Sequence, residues 1–587
     1  MKRKRQGDDE FGLDLAPEAR DHTIRPGGSR LGEILADLRM VHPQQILAVL
    51  AEPEQGEHKP LGQRLVERGL ISEQDIARAV AHRFSLEVVD LGAITPDSGA
   101  TRLLDEPVAR RLVAIPLRAT GDAVIVAVAV PSDRLISALQ QAIGRPVAVK
   151  VAAHSDILAA VAGSYRALSG VTTQIKAFEA QHAKRAEAEP RPEVSSVAED
   201  APVVQVVQRI ITQALRDRAS DIHIEPRSER IRVRYRIDGA LHDVLDLPLT
   251  MGPAVSSRIK ILANMNIVER RRAQDGQISM DIDGHSVDIR VATTGVIEGE
   301  KVVLRLLDKS RSLYRLDQLG MPDDMIARYA GILHAPFGMV ICAGPTGSGK
   351  TTTLYGSLGV INSPERNVMT IEDPVEYRFS SINQIQINEQ AGITFAGGLR
   401  SILRLDPDVI LVGEIRDAET ARIAVQSALT GHFVLSSMHA TDAPAAMHRL
   451  LDMGIESFLV ASSVSAIVAQ RLVRRVCTHC RAAYEPTRDE LAFMSSMRVR
   501  PPMGGFLRGS GCNFCAHTGY LGRTGVYELM LVTEAIRELV VERATHEEMR
   551  KVARAEGMRT LGEEAARLVE AGTTTVAEVI RSIYVGG

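Results

Sequence analysis

The chain has 587 residues, room for about four domains. Its 45% hydrophobic and 24% charged content is that of a globular protein and excludes disorder throughout. Lys and Arg number 70 against 73 Asp and Glu, a formal charge of −3, with 4% aromatic residues and no Trp, which argues against nucleic-acid binding by bulk charge and leaves only a local basic face able to do it.

The first 28 residues are charged, end in Gly27-Gly28, and read as a flexible leader. Leu31-Gly32 recurs as Leu61-Gly62, a period of 30, and each copy continues in a helical pattern. Ser72 reads as the cap of the next helix. Ala123–Val130 is a predicted strand, and Ser155–Tyr165 a predicted helix capped by Ser155 or Asp156. Residues 168–200, with Lys184-Arg-Ala-Glu-Ala-Glu-Pro-Arg-Pro192, read as an interdomain linker. Val203, Val204, Val207, Ile210, Ile211, Ala214 and Leu215 form one helical face, followed by two alternating strands, Asp221–Glu225 and Ile231–Asp238, the second closed by an Asp238-Gly239 turn. Beyond residue 335 short apolar runs (Met339–Ala343, Val368–Ile371, Val409–Val412, Phe433–Leu435) alternate with helical patterns, which indicates a parallel α/β sheet. No run approaches the ~18–20 apolar residues of a membrane span, and no apolar signal core follows Met1-Lys-Arg-Lys-Arg, so a cytoplasmic protein is expected.

The chemistry concentrates at the ends of those runs. Gly344-Pro345-Thr346-Gly347-Ser348-Gly349-Lys350-Thr351 meets every fixed position of a phosphate-binding loop. Its glycines let backbone N–H groups wrap phosphate, Lys350 neutralises it, and Thr351 can ligate Mg²⁺. Acids follow the next two runs, Glu372-Asp373-Pro374-Val375-Glu376 and Gly413-Glu414, where ligands of parallel sheets bind. His439 ends the fourth run. On Ile231–Asp238, Arg232, Arg234 and Arg236 share a face, either a solvated surface or a guanidinium array able to reach phosphate. Cys477-x-x-Cys480 and Cys512-x-x-Cys515 supply four thiolates at the spacing of a structural Zn²⁺ site. Cys342, inside the first run, reads as a small buried apolar residue.

These motifs, in this order from about residue 200 onward, resemble the secretion-superfamily ATPases, the motors of type II secretion and type IV pilus extension. The resemblance implies a RecA-like P-loop NTPase domain (319–470), α/β in class, preceded by a PAS-like α+β domain (201–318) and a small α+β docking module (29–167). A zinc subdomain (471–530) and a helical region (531–587) follow. Gly344–Tyr355 is similar to the family's phosphate loop, Thr352 included among the ATP contacts. Glu372–Glu376 is similar to its Asp box, Arg404–Asp417 to its Walker B segment and Gly431–His439 to its His box. By this resemblance Glu376 is the general base, Glu414 organises Mg²⁺ and water, His439 belongs to the site, and Arg234 and possibly Arg236 reach ATP. Leu405 and Gln277 stand where the family usually has Gln and Arg. The implied assembly is a homo-oligomeric ring, taken as a hexamer, docked through its N-terminal domain on inner-membrane secretion proteins. Some relatives bind cyclic di-GMP through paired Arg-Leu-Gly motifs. Here Arg30-Leu31-Gly32 fits, whereas the second copy reads Pro60-Leu61-Gly62 and Arg39 replaces a usual Gly, and both departures count against that ligand. The implied function is ATP hydrolysis powering pseudopilus assembly, with pilus extension as the near alternative. A DNA-translocating ring is the distant one, disfavoured by the few aromatic residues and the near-neutral charge, and no stable nucleic-acid partner is expected. Two intact acidic strand ends argue against a scaffold without turnover.

Overall fold

The computed structural model describes residues 31–51, 60–94, 96–165, 168, 171–186, 201–282, 285–308, 315–496 and 505–583. The leader, Arg30, and the Pro-containing part of the expected linker lie outside them. Two compact units form, one built on residues up to Thr172 and a larger one taking most of the chain from Thr173 onward.

In the first unit the 30-residue repeat is expressed as a reciprocal fit. A Cβ on Gly32 would touch Leu61 and Ile46, and one on Gly62 would touch Leu31 and Ile76, so each copy's leucine covers the other's glycine. The copies differ at one turn, where Gly69 has φ +67° and its counterpart Arg39 is forced to +56°. Ser72 caps the Glu73–Phe84 helix in a capping box with Asp75. Strands β1 (Ala114–Thr120), β2 (Ala123–Val128) and β3 (Val147–Val151) make a small sheet in that order, β1–β2 antiparallel and β2–β3 parallel. The helix expected from Ser155 begins at His154, and neither Ser155 nor Asp156 caps it. The Ser155 N–H is satisfied from afar, by Glu73 Oε2 at 2.9 Å, and Asp156 is buried and accepts from Gln74.

A helix, Val171–Ala186, stands inside the segment expected to be a linker. Val171, Ile175 and Phe178 give it an i, i+4, i+7 apolar spacing, and the prolines begin only at Pro190.

The larger unit opens with the Pro202–Arg216 helix, which buries Val203, Val206, Val207, Ile210, Ile211 and Ala214. Six antiparallel strands follow: β4 (Asp221–Pro226), β5 (Arg230–Ile237), β6 (Ala240–Pro248), β7 (Gln274–Ile282), β8 (His285–Val296) and β9 (Gly299–Asp308), in the order β6-β5-β4-β9-β8-β7. Ile231, Val233 and Tyr235 are buried while the arginines between them stay half-exposed, as alternation requires.

The core sheet contains β10 (Gly338–Ala343), β11 (Val368–Glu372), β12 (Asn383–Gln386), β13 (Val409–Val412), β14 (Phe433–Met438) and β15 (Val464–Val476). Two short strands, β16 (Arg481–Tyr484) and β17 (Phe506–Gly509), pair with each other, and β18 (Tyr520–Leu531) returns to the core. The core order is β12-β11-β13-β14-β10-β15-β18, parallel throughout except for the antiparallel edge strand β18. Strand β10 is buried at every residue, Cys342 included, whose thiol burial pushes up to about 12. Strand β15 runs through residue 470, where the sequence suggests a boundary, and with β18 it extends the core sheet. No helix among the described residues is long and apolar enough to cross a membrane.

Candidate active site

Because β11, β13, β14 and β10 are neighbours and parallel, the phosphate loop, both acidic segments and His439 all emerge from one edge of the sheet. The loop joins β10 to the Lys350–Ile361 helix, whose positive end faces whatever it holds. Gly347 and Gly349 take φ of +77° and +91°, which side chains resist. A Cβ on Gly344 would come within 2.7 Å of the Gln470 carbonyl. Gln470, on β15, braces the loop from beneath by donating to the Ser348 carbonyl at 2.8 Å. The buried Ser348 hydroxyl has no hydrogen-bond partner among the described residues. Lys350 Nζ donates to the loop carbonyls of Gly344 (2.8 Å) and Pro345 (3.1 Å). Burial pulls the Lys350 ammonium below its ordinary pKa, and the Glu414 carboxylate pushes it back up. A glycine cradle, an orphaned hydroxyl and a folded-back ammonium fit a bound nucleotide phosphate.

The two acids of the Asp box have different tasks. Glu372 is buried and accepts three hydrogen bonds, from Tyr355 Oη (2.5 Å), Thr370 Oγ1 (2.6 Å) and Gln384 Nε2 (3.2 Å). The same Tyr355 oxygen accepts the Glu376 N–H at 3.3 Å. Glu372 is therefore a fixed anchor, and through Tyr355 it ties the phosphate-loop helix to the Glu376 backbone. Glu376 itself is about a third exposed, and Arg290 on β8 holds both its oxygens, at 3.3 Å each. Sequence reasoning missed Arg290, since a lone arginine in an alternating strand gives no signal of a partner 86 residues away. Gln277, the departure noted on β7, pairs directly with Arg290 across the strands.

Glu414 sits past β13 with His439 Nε2 at 3.0 Å and Arg416 Nε at 2.8 Å, so the Walker B acid and the His-box histidine meet. The other departure from the family pattern, Leu405, is exposed.

The structure gives the arginine strand partners of its own. Arg234 Nη2 lies 2.8 Å from Glu225, which also takes Lys301 (3.1 Å), Arg227 (3.3 Å) and Arg232 (3.6 Å). Arg236 and Arg305 flank Asp221 at 3.4 and 3.0 Å. Burial alone would raise the Glu225 carboxyl, but Arg234 and Lys301 outweigh it and hold the group down at about 2. Arg234 and Arg236 are thus held by acids of their own sheet. The signal was available: Asp221, His223 and Glu225 share a face of β4 and lie opposite Arg236, Arg234 and Arg232 in register.

The sulfur atoms of Cys477, Cys480, Cys512 and Cys515 all lie within 4.8 Å of one another, and three of the four residues are buried. Cys512 and Cys515 are 3.8 Å apart, close to the ~3.8 Å edge of a tetrahedron with Zn–S bonds of about 2.3 Å. The cluster can hold a metal ion, and its all-thiolate donor set suits zinc.

Comparison with known proteins places this geometry. A family model described as type II/IV secretion system protein matches residues 196–581, spanning the phosphate loop, both acidic segments and the cysteine cluster. The chain belongs to that family. A second model, the MshEN domain, matches residues 84–170. The type II secretion system protein HxcR of Pseudomonas aeruginosa is 47% identical over 393 residues, 66% of this chain and 80% of the relative. The type II secretion system protein E of Xanthomonas campestris is 39% identical over 521 residues, 87% and 91% of the two chains. The type IV pilus assembly ATPase PilB of Myxococcus xanthus is 38% identical over 557 residues, 94% and 98%. This secretion ATPase binds and hydrolyses ATP on a RecA-like core, and the expected α/β fold class holds.

Proposed function

We propose that this ATPase is the motor of a type II secretion system, turning over ATP at the cytoplasmic face of the inner membrane to drive pseudopilus assembly. The observation that carries the reading is the single sheet edge on which phosphate loop, Glu376, Glu414 and His439 converge. Residues 344–352 hold the triphosphate, with Lys350 leaving the loop carbonyls for the β/γ-phosphates. Thr351 and Glu414 would hold Mg²⁺, which supplies charge neutralisation on the transferring phosphoryl group. Glu376 accepts the proton of the attacking water once Arg290 no longer holds both its oxygens. Arg234 and Arg236 leave their acids as the six-stranded domain closes on ATP, and add positive charge to the transition state. Zinc in the cysteine cluster is structural.

The chain works as a hexameric ring. Its N-terminal module docks on membrane-platform proteins; Pro60 and Arg39 interrupt the paired motif and count against cyclic di-GMP there, whereas the MshEN match over residues 84–170 counts toward it. Pilus extension is the second reading, favoured by the near-complete mutual coverage with PilB, whereas the highest identity quoted is to a secretion protein.

The test is subunit mixing. Arg234→Ala should bind ATP but lose turnover by roughly 10³–10⁵. Mixed with Glu376→Gln chains it should regain activity only if the two residues meet across a subunit boundary. Full turnover in Arg234→Ala alone would remove the arginine from the site.

A further inference from the structure

The six-stranded domain meets the core at a second place, far in sequence from the Arg290–Glu376 pair. Asp238, at the turn between β5 and β6, accepts the N–H of Gly522 through Oδ2 at 2.9 Å. Gly522 is the third residue of β18, the strand that leaves the cysteine cluster, and the Gly519 carbonyl just before it accepts the Cys477 N–H at 2.9 Å. Further along β18, Tyr527 Oη donates to the Leu319 carbonyl at 3.4 Å, within the segment that connects the two domains. One edge strand therefore carries both the connecting segment and the tip of the arginine hairpin.

That tip is coupled to the arginines. Asp238, just past the end of β5, lies two residues beyond Arg236 and four beyond Arg234, and Arg236 Nη1 donates to the Gly239 carbonyl of the turn at 3.1 Å. Asp238 also takes a left-handed φ of +48°, which asparagine and aspartate tolerate and other side chains resist. Two roles for the residue are thus separable: a tolerated turn conformation and a carboxylate aimed at the core.

We propose that Asp238 is a positioning residue for ATP turnover, its carboxylate pinning the tip of the arginine strand to Gly522 so that β18 sets where Arg234 and Arg236 stand. The inference rests on the reading that these arginines serve the ATP site.

The experiment compares Asp238→Gly with Asp238→Asn in the full chain. Glycine suits the left-handed turn better than aspartate but offers no acceptor, whereas asparagine keeps both the turn and a side-chain oxygen. Asp238→Gly should lower kcat about tenfold, the factor that one hydrogen bond to a charged group is worth, with KM for ATP within about twofold. Asp238→Asn should restore most of it. Hydrogen exchange gives the independent readout: amides of the β5–β6 hairpin and of Gly522 should lose protection in the glycine variant and keep it in the asparagine variant, with β10 unchanged in both. A glycine variant with wild-type kcat and protection would overturn the proposal, as would an asparagine variant that falls as far as glycine. If Arg234→Ala turns over normally while the exchange pattern is as expected, the arginine reading fails and the pin stands. If Arg234→Ala is slow and Asp238→Gly is normal in both readouts, the pin fails.

Discussion

In the core sheet β10, β11, β13 and β14 are buried from end to end, and apart from Glu372, which closes β11, charge on them begins only past the last strand residue. In the six-stranded sheet charge sits on the strands themselves, one face of β5 carrying three arginines over Glu225 and Asp221. A charge past the end of a buried strand stands where a parallel sheet binds its ligands, and its partners come from neighbouring loops or the other domain, as His439 and Arg416 do for Glu414 and Arg290 for Glu376. A charge on a strand is matched by the neighbouring strand, and reaches a ligand only by exchanging that partner. The first kind of site is assembled at one sheet edge. The second has to be opened.

Substitutions on the two sheets should separate the cases. At the core edge Glu376→Gln should slow turnover by about 10²–10⁴ while retaining ATP affinity. Lys350→Ala should lose both, because it contacts the ground-state phosphate. Single-turnover assays beside nucleotide titrations distinguish the two, and near-normal hydrolysis by Glu376→Gln would remove it as base.

Next in size is Cys480→Ser, which should lower zinc content below one ion per chain and loosen the edge of the core sheet formed by β15 and β18, with β7–β9 unaffected. Metal analysis and regional hydrogen exchange read this, and a variant with full zinc and unchanged exchange would argue against a four-thiolate metal site.

Tyr355→Phe should cost about 1–3 kcal/mol of stability, since the buried Glu372 carboxylate loses one of three donors. It should also slow turnover more than it weakens ATP binding, because the Glu376 N–H loses its acceptor. Denaturant titration and kcat against KM check both.

The smallest effect belongs to acid. The Glu225 carboxyl is depressed from 4.5 to about 2, so the stability it lends is present above about pH 4.5 and is lost as pH falls toward 2. Between those values the six-stranded domain should lose stability in the wild type more steeply than in Glu225→Gln. Parallel curves would show that the arginines do not depend on this acid.

The phosphate loop, the acids and His439 were legible because each follows a short apolar run, and runs of that length alternating with helical patterns mark buried parallel strands. The four cysteines were legible from spacing alone. What stayed hidden depends on residues far apart in the chain. Arg290 meets Glu376 across 86 positions and Glu73 caps a helix 82 positions later, and neither leaves a local pattern. Strand β15 was obscured because Arg471, Arg474 and Arg475 interrupt its apolar run. Arg471 finds the Thr441 and Gln470 carbonyls, and Arg474 finds Glu578. The helix at Val171–Ala186 was hidden by composition, its charged residues giving it the look of a linker.

Glu372 was described as an anchor, and its three donors have a mechanical consequence. They come from the phosphate-loop helix, from its own strand and from the neighbouring β12. The Lys350 helix and the Glu376 backbone are therefore joined in one hydrogen-bonded frame. The six-stranded domain meets that frame at Arg290–Glu376 and meets β18 at Asp238–Gly522. In the proposed motor, force would pass by tilting one domain against the other, and the stroke would be set at those joints and not at the phosphate.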